Sequence, residues 1–250
     1  DIGFEKISQM LINGGEKVSA VSVKIPEGAT VDEIAGILEK KGVCKKEDFI
    51  NEVQSGRFDY DFVNSIPTDK VHYRLEGYLF PDTYSFYNDP SKDCAHFAVE
   101  KMLSNLKSKL SDDILNKISA GKYNLHQVMT MASIVELESG GVYDESCNVA
   151  AVFYNRLESS KFTTLGSSPT RKYPYGDGAY NTYTAKGLPP GPLCSPSISS
   201  IKAAVNPTQN FDYYYFVTDK SMKFYYRKTL AEHNAIIAKL KAENNWIYED

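Results

Sequence analysis

The sequence is short of the features that assign a chain quickly to several large classes. It has one tryptophan, four histidines and four cysteines in 250 residues. No run of about 18 apolar residues occurs, so no segment reads as a membrane-spanning helix. Asp1 opens the chain without a signal-peptide pattern, and the chain reads as starting mid-domain. Lys and Arg number 28 against 32 Asp and Glu, for a net charge of -4. That balance lacks the basic face that a nucleic-acid-binding protein needs. Cys44, Cys94, Cys147 and Cys194 are about 50 residues apart, with no CxxC pair and no His at ligand spacing. A metal site is therefore not expected. Two disulfides are open, and dispersed free thiols are the simpler reading.

What remains is an ordinary globular composition, 42% hydrophobic and 24% charged. The length suits one large domain or two modest ones. Tyrosine stands out, with 18 copies. Its flat apolar face and polar tip suit sugar-rich ligands, and serve equally well as strand and core filling.

Patterning divides the chain. Phe4, Ile7, Met10 and Leu11 predict a helix ending at Gly14-Gly15, the tail of a preceding subdomain over 1–19. Val21, Val23 and Ile25 alternate as in a half-buried strand. Thr30 and Glu33 form a capping box ahead of the stripe Val31, Ile34, Ala35, Leu38, and Gly42 suits the position after a helix. A short helix follows near 47–54, closing a small unit over 20–56. Residues 56–90 are rich in aromatic and turn residues, and 93–110 read as a helix. Asn124 and Gln127 cap a helix running to about Ser139, apolar nearly all round and hence buried. A helix at about 145–158 comes next. Residues 160–200 form a Gly/Pro/Ser/Thr/Tyr-rich stretch of the kind that makes functional loops. A hairpin over 213–227 and a last helix from Leu230 end the chain.

Glu136 sits near the end of the buried helix, just before Ser139-Gly140-Gly141. Apolar surroundings and the negative end of the helix dipole both favour its protonated form. Such an acid can protonate a glycosidic leaving group; the plain alternative is a side chain fraying into solvent. Glu138, two residues on, points to a different side of the helix. Asp82 and Asp177 are the other candidates for a second carboxylate, and none is an obvious partner. One class of glycan cleavage does without it. There a single Glu protonates the bridging oxygen and then helps deprotonate the sugar's own 6-hydroxyl, which attacks the anomeric carbon.

Several segments carry a resemblance. Met131–Glu138 (MASIVELE), Glu76–Tyr84 (EGYLFPDTY), Val149–Leu157 (VAAVFYNRL), Ala179–Tyr183 (AYNTY), Gly187–Gly191 (GLPPG), Ser195-Pro196 and Glu232–Asn234 (EHN) follow one another over about 20 to 240. Together they resemble the YceG-like family of MltG-type endolytic murein transglycosylases. The resemblance implies an α+β fold: a small LysM-like unit at 20–56, then a mixed α/β catalytic domain at 57–250 with a lysozyme-like catalytic helix. It places the catalytic acid/base on Glu136, with Asn181, Tyr180, Thr182, Tyr183, Ser168, Thr170 and Glu138 as substrate-binding candidates. It implies cleavage of the MurNAc–GlcNAc bond within peptidoglycan strands, leaving 1,6-anhydro-MurNAc ends and limiting nascent glycan length. It implies no metal or organic cofactor. The implied partners are peptidoglycan strands, the cell-wall synthesis machinery and the membrane, reached through an N-terminal anchor outside this chain, on the extracytoplasmic face. Three places depart from the family pattern. Gly166 and Ser168 stand where a Gln and an Asp are common, Phe224 stands where a His is frequent, and the loop from Thr170 to Ala179 is short. The first of these supports a second reading, a weakly active or non-catalytic glycan-binding scaffold. A hydrolytic muramidase is a third.

Two residues have local readings of their own. Asn181 suits either an N-acetyl contact, or orientation of Glu136, or a plain loop role. His233, in the last helix, reads as a cap or core residue before a site residue.

Overall fold

The computed structural model describes residues 20–87, 93–174 and 178–247. The expected helix at 4–11, the 1–19 tail and Asp177 lie outside them. Strand β1 (Ala20–Lys24) buries Val23 and pairs antiparallel with β2 (Thr83–Tyr87), Val23 opposite Tyr84. The pairing continues past the strand end, where Ile25 N–H donates to Asp82 O at 2.9 Å. The alternation that marks β1 is thus explained by a partner more than 50 residues away, in a stretch that reads in sequence only as turns and aromatics.

Helices α1 (Val31–Lys40) and α2 (Lys46–Ser55) follow. The Thr30–Glu33 capping box is formed, and Val31, Ile34, Ala35 and Leu38 are all buried. After the single turn α3 (Asp61–Asn64), the long α4 (Cys94–Lys109) packs on α2. The Glu52–His96 contact at 2.7 Å joins these two helices. Helix α5 (Asp112–Ala120), capped by Ser111, was not expected; its nine residues bury only Ile114, too weak a stripe to show.

The centre of the fold is α6 (Leu125–Ser139), packed against α7 (Tyr143–Glu158) and α8 (Ile198–Val205). The Asn124–Gln127 capping box is present, and Met129, Met131, Ala132, Ile134 and Val135 have no exposed surface. As expected the helix is buried nearly all round; Leu137, 41% exposed near its end, is the apolar exception. Helix α8 was also missed, since it begins only at the end of the stretch that reads as loop; Ser197 caps it, accepting from Ser200 N–H. A hairpin of β3 (Tyr215–Thr218) and β4 (Phe224–Arg227), then α9 (Leu230–Ala242), close the fold. The result is a mixed α/β fold with two small antiparallel sheets among the described residues. None of the described helices is long and apolar enough to cross a membrane.

Candidate active site

The C-terminus of α6 sets the site. Gly140 takes φ 62°, a left-handed stop that only glycine adopts without strain, and its N–H donates to Glu136 O at 2.9 Å. Gly141 follows at φ 73°, where an added Cβ would lie 3.2 Å from Glu136 Oε1. The chain therefore turns tightly over the Glu136 carboxylate, which is 6% exposed. Ser197 caps it from α8: its N–H and Oγ donate to Oε2 at 2.9 and 2.5 Å.

Glu138 points elsewhere, and the loop segments 165–174 and 178–184 meet it. That loop is fastened to itself. Gly166 N–H donates to Thr182 O at 2.8 Å, and Ser167 N–H to Thr182 Oγ1 at 2.9 Å. The Thr170 hydroxyl donates to Ser167 O at 2.6 Å, and Thr182 N–H donates to Thr170 Oγ1 at 3.1 Å. Thr170 and Thr182 are fully buried by this network. It delivers Ser167 Oγ to Glu138 Oε1 at 2.6 Å. Burial pushes the Glu138 carboxyl above its ordinary range; bonds from Ser167 and the Ser168 backbone, and the Arg156 charge, pull it partly back.

A cleft of about 980 Å³ opens here, lined by Leu137, Glu138, Arg156, Ser168, Arg171 and Tyr183 among others. Thr30, Asp32 and Glu33 line it from α1, and Phe216 and His233 from the C-terminal part. Glu136 is not on its lining. It lies close behind that lining: a Cβ on Gly28, which is on it, would be 3.9 Å from Glu136 Cγ. Burial and then the Glu136 charge push the Glu27 carboxyl up.

The candidates thus part company. Glu138, Ser168 and Tyr183 are on the cleft, with the Ser168 and Tyr183 hydroxyls 3.2 Å apart. Thr170 and Thr182 lie beneath it as fasteners. Asn181 is buried and turns the loop, its Oδ1 accepting from Tyr183 N–H at 3.0 Å. Tyr180 is not a sugar platform: its ring is 5% exposed and packs edge-on against Tyr173, and its hydroxyl accepts from His72 N–H. His233 does reach the cleft, beside Tyr215. Asp82 is away from it, bonded to Thr83 N–H and Asn105. The carboxylates on the cleft besides Glu138 are Asp32, paired with Lys46 at 3.0 Å, and Glu33, held in the capping box. Sequence reasoning missed Ser167, Ser197, Arg156 and Arg171. Ser167 and Arg156 fall inside or beside quoted motifs, and no residue pattern marks what they touch.

Gly166 has φ 65°, and Arg156 Nη1 lies 3.2 Å from where its Cβ would be. Glycine there meets a backbone requirement of this loop. Phe224 packs against Phe216, with ring centroids 6.1 Å apart.

Residues 1–239 match the model of the YceG-like family. The chain belongs to the YceG-like family. It is 33% identical to the endolytic murein transglycosylase of Bacillus subtilis (strain 168), over 97% of this chain and 71% of that protein. It is 31% identical to the endolytic murein transglycosylase of Streptococcus pneumoniae (strain D39), over 87% of this chain and 44% of that longer protein. A crystal structure of a YceG-like protein from Listeria monocytogenes superposes with a TM-score of 0.72 at 30% identity, covering 94% of this chain and 81% of that one.

Proposed function

We propose that this YceG-like chain is a lytic transglycosylase that cleaves peptidoglycan strands in the 980 Å³ cleft, with Glu138 as its acid and base. The observation that carries the reading is the placement of the two glutamates of α6. Glu138 lines the cleft with its acid form favoured by burial, whereas Glu136 is closed over by Gly141 and held by Ser197. The family resemblance places the role on Glu136 instead, and the paired variants below separate the two.

In the first step protonated Glu138 gives its proton to the bridging oxygen of the scissile bond. The resulting carboxylate, steadied by Ser167, then accepts the proton of the sugar's 6-hydroxyl as that oxygen closes on the anomeric carbon. No water is consumed, and the product carries a 1,6-anhydro ring. Tyr183 and Ser168 offer a ring face and a hydroxyl to the sugar. Cutting within nascent strands limits their length, in the cell envelope beside the synthesis machinery, with the chain held to the membrane by an N-terminal anchor. The LysM-like reading of residues 20–56 belongs to the same proposal.

A hydrolytic reading draws on Asp32 and Glu33, which share the cleft. Both are tied to local partners, which disfavours either as the base for a water. Mass spectrometry of muropeptides after digestion decides. Anhydro-muramyl ends are expected from wild type, none from Glu138→Gln, and most of the activity from Glu136→Gln. Reducing ends would mean hydrolysis, and full activity in Glu138→Gln would remove Glu138 from the chemistry.

A further inference from the structure

Two cations on the cleft rim have no role in the chemistry above. Arg171 and Lys172 end the 3₁₀ turn Pro169–Arg171 and both line the cleft that holds Glu138. Both are exposed, and no ion pair to either is found among the described residues. Lys46, Lys117 and Lys228, by contrast, each face a carboxylate at 3.0 Å or less. The other cation on this wall, Arg156, is spent internally: it donates to Tyr214 O at 2.6 Å and to Leu165 O.

The turn is a rigid mount. The Lys172 N–H returns to Pro169 O at 3.1 Å, and Thr170 anchors the turn from below through Ser167 O. The Arg171 guanidinium lies 5.2 Å above the Tyr183 ring, whose hydroxyl meets Ser168. Stacking of this kind orients the planar fork and leaves its edge N–H groups for a planar anion. Ser167, two residues before the turn and held to it through Thr170, touches Glu138. An anion held by Arg171 is therefore held in a fixed relation to the acid.

We infer that Arg171 and Lys172 form a subsite for the carboxylates of the peptide stem carried by the murein strand. The inference rests on the peptidoglycan reading. The sugar rings of such a strand are uncharged, so the stem is the part of it that brings carboxylates to the cleft. A guanidinium fork binds a carboxylate through two parallel hydrogen bonds, and the neighbouring ammonium adds a point charge. The cleft's own carboxylates do not compete, since Asp32 is paired with Lys46 and Glu33 is in its capping box.

The test compares soluble glycan strands with free stem carboxylates against the same strands after carbodiimide coupling of those carboxylates to excess ammonia, which removes the charge and leaves the stem in place. Wild type should show a higher kcat/KM on the free-carboxylate strands. In Arg171→Gln/Lys172→Gln that preference should collapse, with a fall on free-carboxylate strands about tenfold greater than on amidated ones. An equal fall on both, or no fall, overturns the subsite. Binding of the two strand types, followed by calorimetry with wild type and the double variant, gives a second readout. Should wild type cut neither strand, the transglycosylase reading fails, and the binding difference still decides the subsite. Thermal melting of the double variant should match wild type, because both side chains are exposed.

Discussion

The last turn of α6 sends two glutamates into two regions that differ in almost everything except one detail. Each meets a serine hydroxyl: Glu136 that of Ser197 at 2.5 Å, Glu138 that of Ser167 at 2.6 Å. Ser197 opens a packed helix, so the Glu136 region is a joint between α6 and α8. Ser167 belongs to a loop that edges a cleft, so the Glu138 region has room for a substrate beside it. Chemical type and hydrogen bonding are alike, and access to the cleft separates the two.

Four substitutions sharpen or break that contrast. The largest effect is expected from Glu138→Gln, which removes the transferable proton; kcat should fall by about 10²–10⁴-fold with the melting curve little changed. Measured turnover near wild type would erase the distinction. Next, Glu136→Ala should cost about 2 kcal/mol in denaturant unfolding, because it strands the buried Ser197 N–H. An unchanged midpoint would mean that the joint contributes nothing. Ser197→Ala should cost about 1 kcal/mol, by loss of the α8 cap. The smallest effect concerns pH. As the proposed acid Glu138 must be protonated, and burial raises its carboxyl above the ordinary carboxylate range, so activity should persist above that range and decline as the medium becomes more alkaline. Ser167→Ala removes a bond that favours the ionised form, so the alkaline limb of the rate profile should move to higher pH. A move to lower pH would contradict the stated cause.

The helix carrying both acids was readable from its own residues: Asn124 and Gln127 at one end, Gly140 at the other, with an apolar run between. The same holds for α1 and α9, whose capping boxes announce them. Which glutamate meets the cleft was not readable. The two were rightly separated by helical phase, but the side on which the cleft lies is decided by residues 165–174 and 178–184, and their course depends on buried hydroxyls such as Thr170 and Thr182 that carry no periodicity. Tyr180 and Tyr183 make the same point. They lie three residues apart in one motif, yet one is packed against Tyr173 and the other lies open under Arg171. The β1–β2 pairing was half legible, since the alternation shows one strand and the aromatic-rich partner hides the other.

Glu76 has no part in the chemistry, yet it joins the walls around it. Its buried carboxyl accepts from Val31 N–H, the first residue of α1, and from the Tyr173 hydroxyl, across the cleft lining from that helix. One side chain in the floor therefore fastens the α1 rim to the opposite loop. A channel tied across its base in this manner works as a gauge of fixed bore. The span between the two rims is thereby set by the fold itself.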